Sequence, residues 1–421
     1  MIKRITFAIL SALFAFASVS GQSLTLDECY ALAESNYPLV KQYELIEKSR
    51  DYSISNASKG YLPQFMVSGQ ATYQSDVTKM PFSLPDTDVP TLSKDQYRIQ
   101  GEVVQPITDV FTTVKYKKEI VESEADVERN RTDVELYKIK ERINQLYFGI
   151  LLIDAQIIQV EIMKKDIQAA IDKNRTAIAN GVALKSSADM LRAELLKTEQ
   201  RTIEMNAMRK GYAEMLSFFI SRDVNEETRL EKPMETVLVS GVINRPELQM
   251  FDSQKRAIHS KGKLLDVGIM PRLNLFAQGG YGKPALNMLA NEFDYYYVGG
   301  VRLTWNLSNF YTHKKEKRLL VNSQSAVDVQ KDIFLFNLKL DVARQNNEIE
   351  KLYEIIETDR EIINLRENIR ISAQNQLEYG TVTTNDYLTY INAEDQAKQN
   401  LIYHEIQRLT AKYNLKTTVG N

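Results

Sequence analysis

One block of sequence is written twice along this chain, and the doubling restricts the folds open to it. "SNYPLVKQYELIEKSRDYSISNASKGYLPQF" lines up with "INRPELQMFDSQKRAIHSKGKLLDVGIMPRL": Pro38 falls on Pro246, and Pro63 falls on Pro271 at the same shift. The first proline of each copy sits early in a helical stretch, where its missing N–H costs little. The second ends that helix and starts an extended run.

Each run alternates. Phe65, Val67, Gly69, Ala71 and Tyr73 stand against Gln64, Met66, Ser68, Gln70 and Thr72; Leu273, Leu275, Ala277, Gly279 and Tyr281 stand against Arg272, Asn274, Phe276, Gln278 and Gly280. The return strands behave alike, with Tyr97, Ile99, Gly101 and Val103 in the first copy and Tyr297, Gly299, Val301, Leu303 and Trp305 in the second. A period of two with one apolar face describes an amphipathic β-hairpin. Turn-rich loops, "SDVTKMPFSLPDTDVPTLSKDQ" and "KPALNMLANEFD", join the strands. Strands of about ten residues, apolar outward, polar inward and aromatic at the ends, are the signature of a membrane barrel. Tyr73, Tyr97, Tyr281, Tyr297 and Trp305 are the expected interface aromatics. A soluble sheet packed on a core is the other environment that fits.

Behind each hairpin the period changes to that of a helix. A four–three spacing runs through Ile139, Ile143, Leu146, Ile150, Ile153, Ile157 and Val160, then Ile167, Ile171 and Ile178, which is a coiled-coil seam. Some seventy helical residues make a rod of roughly 100 Å. Gly181 marks its end, Ser186 and Ser187 are the expected caps of a return helix, and Leu191, Leu195, Thr198, Met205 and Leu216 continue the seam. In the second copy Val329, Ile333, Phe336, Leu340 and Ala343 form the stripe, which shifts register to Leu352, Ile355, Ile362, Leu365 and Ile369. Gly380 ends that helix and Thr384 or Asn385 is the expected cap of the last one. These stripes read as core, with no cofactor needed to explain them.

The boundaries follow. Residues 1–21 read as a signal peptide: Lys3 and Arg4, an apolar stretch from Ile5 to Ala17, then small residues, with cleavage near Gly21 or Gln22. No cysteine stands there, since the single one is Cys29, so no lipid attachment and no internal disulfide is expected. The first repeat spans 22–220, with its hairpin at about 62–108 and its helix pair at about 113–220. An equatorial linker of irregular or mixed structure covers 221–241. The second repeat spans 242–412, with its hairpin at about 271–307 and its helix pair at about 313–412, and a tail of 413–421 follows. Beyond the signal no window reads as a spanning helix; the richest, Leu146–Ile162, contains Asp154 and Glu161. A membrane-spanning part must therefore be β.

Four membrane strands cannot close a barrel alone, because single-chain bacterial barrels start at eight. Two chains would give eight strands with a filled interior, and three would give twelve with a solvated lumen. Long helices attached to such a barrel would extend its pore.

The order and duplication of "LTLDECYALAESNYPLV", "GYLPQFMVSGQATYQ", "VVQPITDVF", "ANGVALKSSADMLRAE", "VGIMPRLNLFAQGGYG", "RLTWNLSNF" and "EYGTVTTNDYLTYINAE" resemble the outer-membrane efflux protein family, the TolC-like channels. The resemblance covers nearly the whole chain after the signal. It implies a mainly α protein with membrane β: a homotrimeric 12-stranded outer-membrane barrel, four strands per chain, continuing into a periplasmic coiled-coil tunnel. It further implies a passive duct for a tripartite efflux pump or type I secretion system, with a periplasmic adaptor and an inner-membrane transporter as partners and outer-membrane lipid around it. Aspartates after the second helical turn form a constricting ring in that family. Asp386 stands at the first such position here, Thr389 replaces the second, and Val382 stands where some relatives place a basic gating residue. Asp189 is the matching acid of the first repeat. A carboxylate repeated by symmetry favours cations, while both aspartates also suit helix N-termini. The turns at Gly181 and Gly380 are the expected adaptor contacts.

No catalytic constellation is legible. His259, His313 and His404 lack ligand spacing, and "QGGYGKP" lacks the lysine-hydroxyl pair of a phosphate loop. No cofactor, no metal and no enzymatic activity are expected. Lysine plus arginine total 53 against 55 acids, so no nucleic-acid surface is implied. The other reading is a periplasmic or surface coiled-coil adaptor without a pore.

Overall fold

The computed structural model describes residues 23–78, 91–181, 183–235 and 242–421. The signal peptide, most of the first hairpin loop and the end of the linker lie outside the described residues. In chain order the elements are β1 (Ser23–Leu24), α1 (Leu26–Asn36), α2 (Lys41–Ser58), β2 (Gln64–Tyr73), β3 (Asp95–Pro106), α3 (Thr113–Ala179) and α4 (Lys185–Ile220). Then come β4 (Arg229–Leu230), α5 (Pro246–Val267), β5 (Arg272–Lys283), β6 (Asp294–Thr304), α6 (Phe310–Glu378) and α7 (Thr384–Val419). A helix, a hairpin, a very long helix and a return helix thus occur twice.

Packing divides the chain into two compact units, and each takes segments from both repeats. One contains Met1–Lys41, Thr132–Pro246 and Ile333–Asn421; the other contains Gln42–Arg131 and Glu247–Asp332.

The first unit is helical. Ile143, Tyr147, Phe148, Ile150, Ile153, Val160 and Ile167 of α3 are buried, as are Leu191, Met205 and Leu216 of α4. One cluster joins Met163 and Ile167 to Ala373 of α6 and to Tyr387 and Ile391 of α7. The buried Tyr147 hydroxyl donates to the Leu24 carbonyl at 2.8 Å and the Glu231 carbonyl at 2.6 Å. It thereby clamps the short parallel pair β1–β4. Burial raises the Tyr147 pKa and pushes the Cys29 thiol up to about 12. Gly149 lies where α4 comes close: a Cβ there would meet the Tyr212 ring at 2.5 Å.

Three features differ from the sequence reading. The first part of the α6 apolar stripe is not core within the chain: Val329, Ile333, Phe336 and Leu340 are each more than half exposed, whereas Leu352 of its shifted part is buried. Helices apolar on more than one side have more than one contact surface, so periodicity does not say which partner covers a stripe. The expected tail belongs to α7, since Leu415 and Val419 are buried and Gly420 closes the helix at φ +90°. One window in Thr108–Ala179 is also long and apolar enough to cross a membrane by length and composition. Of that window, 39% is buried.

The second unit is built around a four-stranded antiparallel sheet of order β2-β3-β5-β6. The two hairpins join through β3 and β5, with Val103 opposite Ala277. The register aligns Gly69, Ile99, Tyr281 and Tyr295 in one row. Outside the sheet, Asn130 Nδ2 donates to Ser253 Oγ at 2.6 Å, and Asp266 accepts from Lys317 at 2.9 Å.

Gly149→Ala is expected to destabilise the protein by about 1–3 kcal/mol through overpacking, read as a lower thermal midpoint, and Tyr212→Ala in that background is expected to recover part of the loss. Cys29 is expected to resist maleimide in the native protein and to react on unfolding; fast native labelling would contradict its burial.

Candidate functional site

The sheet has two unlike faces. The apolar face carries Phe65, Val67, Tyr73, Tyr97, Ile99, Leu275, Tyr281, Tyr295, Tyr297, Val301 and Leu303, all exposed. Val67 is 79% and Tyr297 87% exposed, values that in water belong to polar side chains. Trp305 follows just beyond β6, its Nε1 donating to the Ile269 carbonyl at 2.9 Å. Of the five aromatics expected from the sequence, the register places Tyr73, Tyr97, Tyr281 and Tyr297 on this face, toward the loop end of the strands. From the Leu273–Leu303 row to the Tyr281–Tyr295 row the sheet runs ~27 Å along the strands, from the usual rise per residue.

The other face is more polar and more covered. Arg302 reaches Glu102 at 2.7 Å and lies 4.3 Å from the Phe276 ring centroid. The Tyr296 hydroxyl donates to Gln100 at 2.8 Å. Each of these aromatic rings lies against a glycine. A Cβ on Gly280 would meet the Tyr296 hydroxyl at 2.7 Å, and one on Gly300 would meet Phe276 at 3.3 Å. At Gly280 a Cβ would also meet the Ile99 carbonyl at 2.6 Å, so glycine there permits close approach of both backbone and ring. Among the described residues strands β2 and β6 end the sheet, each paired along one edge only.

Two turns, one in each long pair, link the helices. Gly181 and Gly380 take φ +75° and +70° with open space around them. The requirement is the left-handed conformation, not room. Thr383, not Thr384 or Asn385, caps α7 in a capping box: its hydroxyl donates to the Asp386 carboxylate at 2.6 Å and accepts the Asp386 N–H at 3.2 Å. Asp386 is exposed and occupied with its own helix end. Thr389 donates back to the Asn385 carbonyl at 3.0 Å. Leu184, not Ser186 or Ser187, holds the cap position of α4, without a side-chain bond, and Asp189 is exposed on the first turns of that helix.

Sequence reasoning missed a charged layer inside the helical unit. Asp395 is buried and accepts Gln159 at 3.1 Å and Arg201 at 3.0 Å, which ties α7 to α3 and α4. Its neighbour Glu394, also buried, accepts Arg370 at 2.5 Å and Lys398 at 2.7 Å. Burial disfavours the Arg370 charge, but the Glu394 carboxylate outweighs it and raises the Arg370 pKa. The signal was available: Tyr387, Ile391, Glu394 and Lys398 continue the four–three spacing, so an acid stands on a seam. Among the described residues no group of three histidine, cysteine, aspartate or glutamate side chains could hold a metal ion.

No family model matches the chain, and no curated protein matches it by sequence. Solved structures do. The outer membrane protein VceC of Vibrio cholerae superposes with a TM-score of 0.66 over 94% of this chain and 96% of its own, at 13% identity. The outer-membrane channel OprN gives 0.67 over 94% and 89%, at 10% identity. The open state of the Neisseria gonorrhoeae MtrE outer membrane channel gives 0.66 over 94% and 89%, at 13% identity. This is the outer-membrane channel fold. Coverage that complete, in both directions, includes the hairpins and helix pairs of both repeats. Identity that low means the outer-membrane channel fold is maintained here by pattern, not by particular residues.

Glu394→Ala is expected to cost about 3 kcal/mol because it strands the half-buried Arg370, whereas Glu394→Gln keeps an acceptor and is expected to cost less. Gly380→Ala is expected to cost about 1–2 kcal/mol from the left-handed backbone alone. Thermal unfolding in detergent reads all three, and equal losses for Ala and Gln at 394 would remove charge from the explanation.

Proposed function

We propose that this chain is one protomer of a homotrimeric outer-membrane channel, and that three copies of its sheet close a 12-stranded barrel. The observation that carries this reading is a sheet bare on its apolar face and open at both edges. Lipid covers such a face at no cost, but cannot pair an edge. Three chains give twelve strands and a solvated lumen, lined by the polar face.

The helices make the same demand. Apolar residues are exposed on α4, where Phe218 is 81% and Ile203 68% exposed, and on α6, where Phe336 is 61% exposed. A rotational assembly pairs two such unlike faces around a ring and leaves neither in water. The long helix pairs then form a periplasmic tunnel that continues the barrel.

The channel is a passive exit duct, supplied by an inner-membrane transporter through a periplasmic adaptor in a tripartite efflux pump or type I secretion system. The turns at Gly181 and Gly380 are the adaptor contacts. Asp386 and Asp189, repeated threefold, place carboxylates at the tunnel end, with Thr389 beside Asp386 and Asp386 the stronger constriction. The likeness to channels such as VceC and MtrE supports the class. A pore-free adaptor would have no use for a bare apolar strand face.

Val67→Arg and Leu275→Arg are expected to cost about 2–4 kcal/mol each if those sites lie near the bilayer midplane; membrane assembly equal to wild type would turn that face away from lipid. In planar bilayers Asp386→Asn, which keeps a capping side chain, is expected to weaken block by multivalent cations. Thr383→Ala, which loses the cap and keeps the charge, is expected to leave the block in place. Unchanged block in Asp386→Asn would remove Asp386 from the pore.

A further inference from the structure

The loop between β5 and β6 is apolar where a connection at a sheet end is ordinarily polar. Of its ten residues from Pro284 to Phe293, Glu292 is the single charged one, and it stands at the end next to β6. Its turn is built, not slack: Asn287 Oδ1 accepts the Leu289 N–H at 3.1 Å, and the Asn287 carbonyl accepts the Ala290 N–H at 3.2 Å. Asn291 Oδ1 accepts the Ser93 N–H at 2.9 Å, which ties the loop to the chain entering β3. Ala285 is buried, while Leu286, Met288 and Leu289 are each more than half exposed.

Its position indicates what covers it. Phe293, the last loop residue, stacks on Tyr281 at 5.4 Å between centroids and on Tyr97 at 6.3 Å, and Tyr281 packs on Tyr295 at 4.8 Å. Those three tyrosines belong to the apolar face, so the loop leaves the sheet on that side. Phe293 also leans toward β3, inward from the open β6 edge, which a second copy would occupy. Lys283 Nζ lies 6.0 Å from the Phe293 ring centroid, placing a cation at the level of the aromatic cluster. An apolar band, then an aromatic belt with a lysine, then apolar tips is the arrangement of a segment seated in a bilayer interface.

We propose that Pro284–Phe293 is a lipid anchor: it lays Leu286, Met288 and Leu289 into the interfacial zone of the outer leaflet and turns Lys283 toward the lipid phosphates. The proposal rests on the reading that the apolar sheet face meets lipid. It predicts a membrane contact beyond the strands themselves, made by a segment that a barrel drawn from its strands alone would leave in water.

The test uses the full assembled protein in vesicles of phosphatidylcholine and phosphatidylglycerol. Met288→Cys, Leu289→Cys and, as the reference on the strand face, Leu275→Cys are each labelled with an environment-sensitive dye; the buried Cys29 does not compete. Brominated lipids are expected to quench all three sites, and aqueous iodide is expected to quench positions 288 and 289 several-fold less than the free dye. Lipid quenching at 275 together with strong iodide quenching at 288 and 289 would overturn the anchor and leave the membrane face intact. Shielding of 288 and 289 from both quenchers would mean that protein covers the loop, which also overturns the anchor. No lipid quenching even at 275 would overturn the membrane face and the anchor with it.

Discussion

A strand edge carries a row of backbone N–H and C=O groups, and hydrocarbon offers them nothing to bond to. Everything else about this protein follows from how that requirement is met. Among the described residues the sheet has four strands, and the outer edges of β2 and β6 are open. On the proposed trimeric reading, other copies supply the missing pairs before the apolar face enters lipid. On that reading closure, not the burial of one chain's core, is the stabilising event for the sheet.

The helical part obeys a related logic with different chemistry. Within the chain, α3 buries a continuous seam, while α4 and α6 each leave a second apolar stripe exposed. Against that apolar background the buried acids of α7 stand out. Glu394 binds within its own helix pair and Asp395 binds across to the first repeat. Adjacent residues thus fasten one helix to partners on two sides. Such charge pairs add less net stability than hydrophobic packing of equal volume, but they penalise any misaligned register that would leave a charge unpaired.

Much of this was legible in the sequence because two periods carry most of the fold. The period-two runs after Pro63 and Pro271 gave strands whose observed bounds, Gln64–Tyr73 and Arg272–Lys283, match the alternation. The glycine helix ends at 181 and 380 were equally clear, since only the left-handed turn demands them. The misreadings have physical reasons. A stripe such as Val329 to Leu340 has the same spacing whether it faces its own chain or another, so periodicity could not say that it is bare. Thr383 rather than Thr384 caps α7 because the capping box selects the residue three before Asp386, a one-residue distinction that composition does not make. Glu394 went unnoticed because an acid on a seam looks like a solvated residue until its arginine partner is seen. The compact units, which interleave the two repeats, reflect contacts between distant segments that no local pattern encodes.

The central claim is that the open sheet is one third of a closed barrel, and stoichiometry tests it directly. Native mass spectrometry of the protein extracted from outer membranes into lipid nanodiscs is expected to show three chains per particle, with no stable monomer inserted in the bilayer. A particle of one or two chains carrying lipid would contradict the account, because the edges of β2 and β6 would then have to be satisfied in some other way.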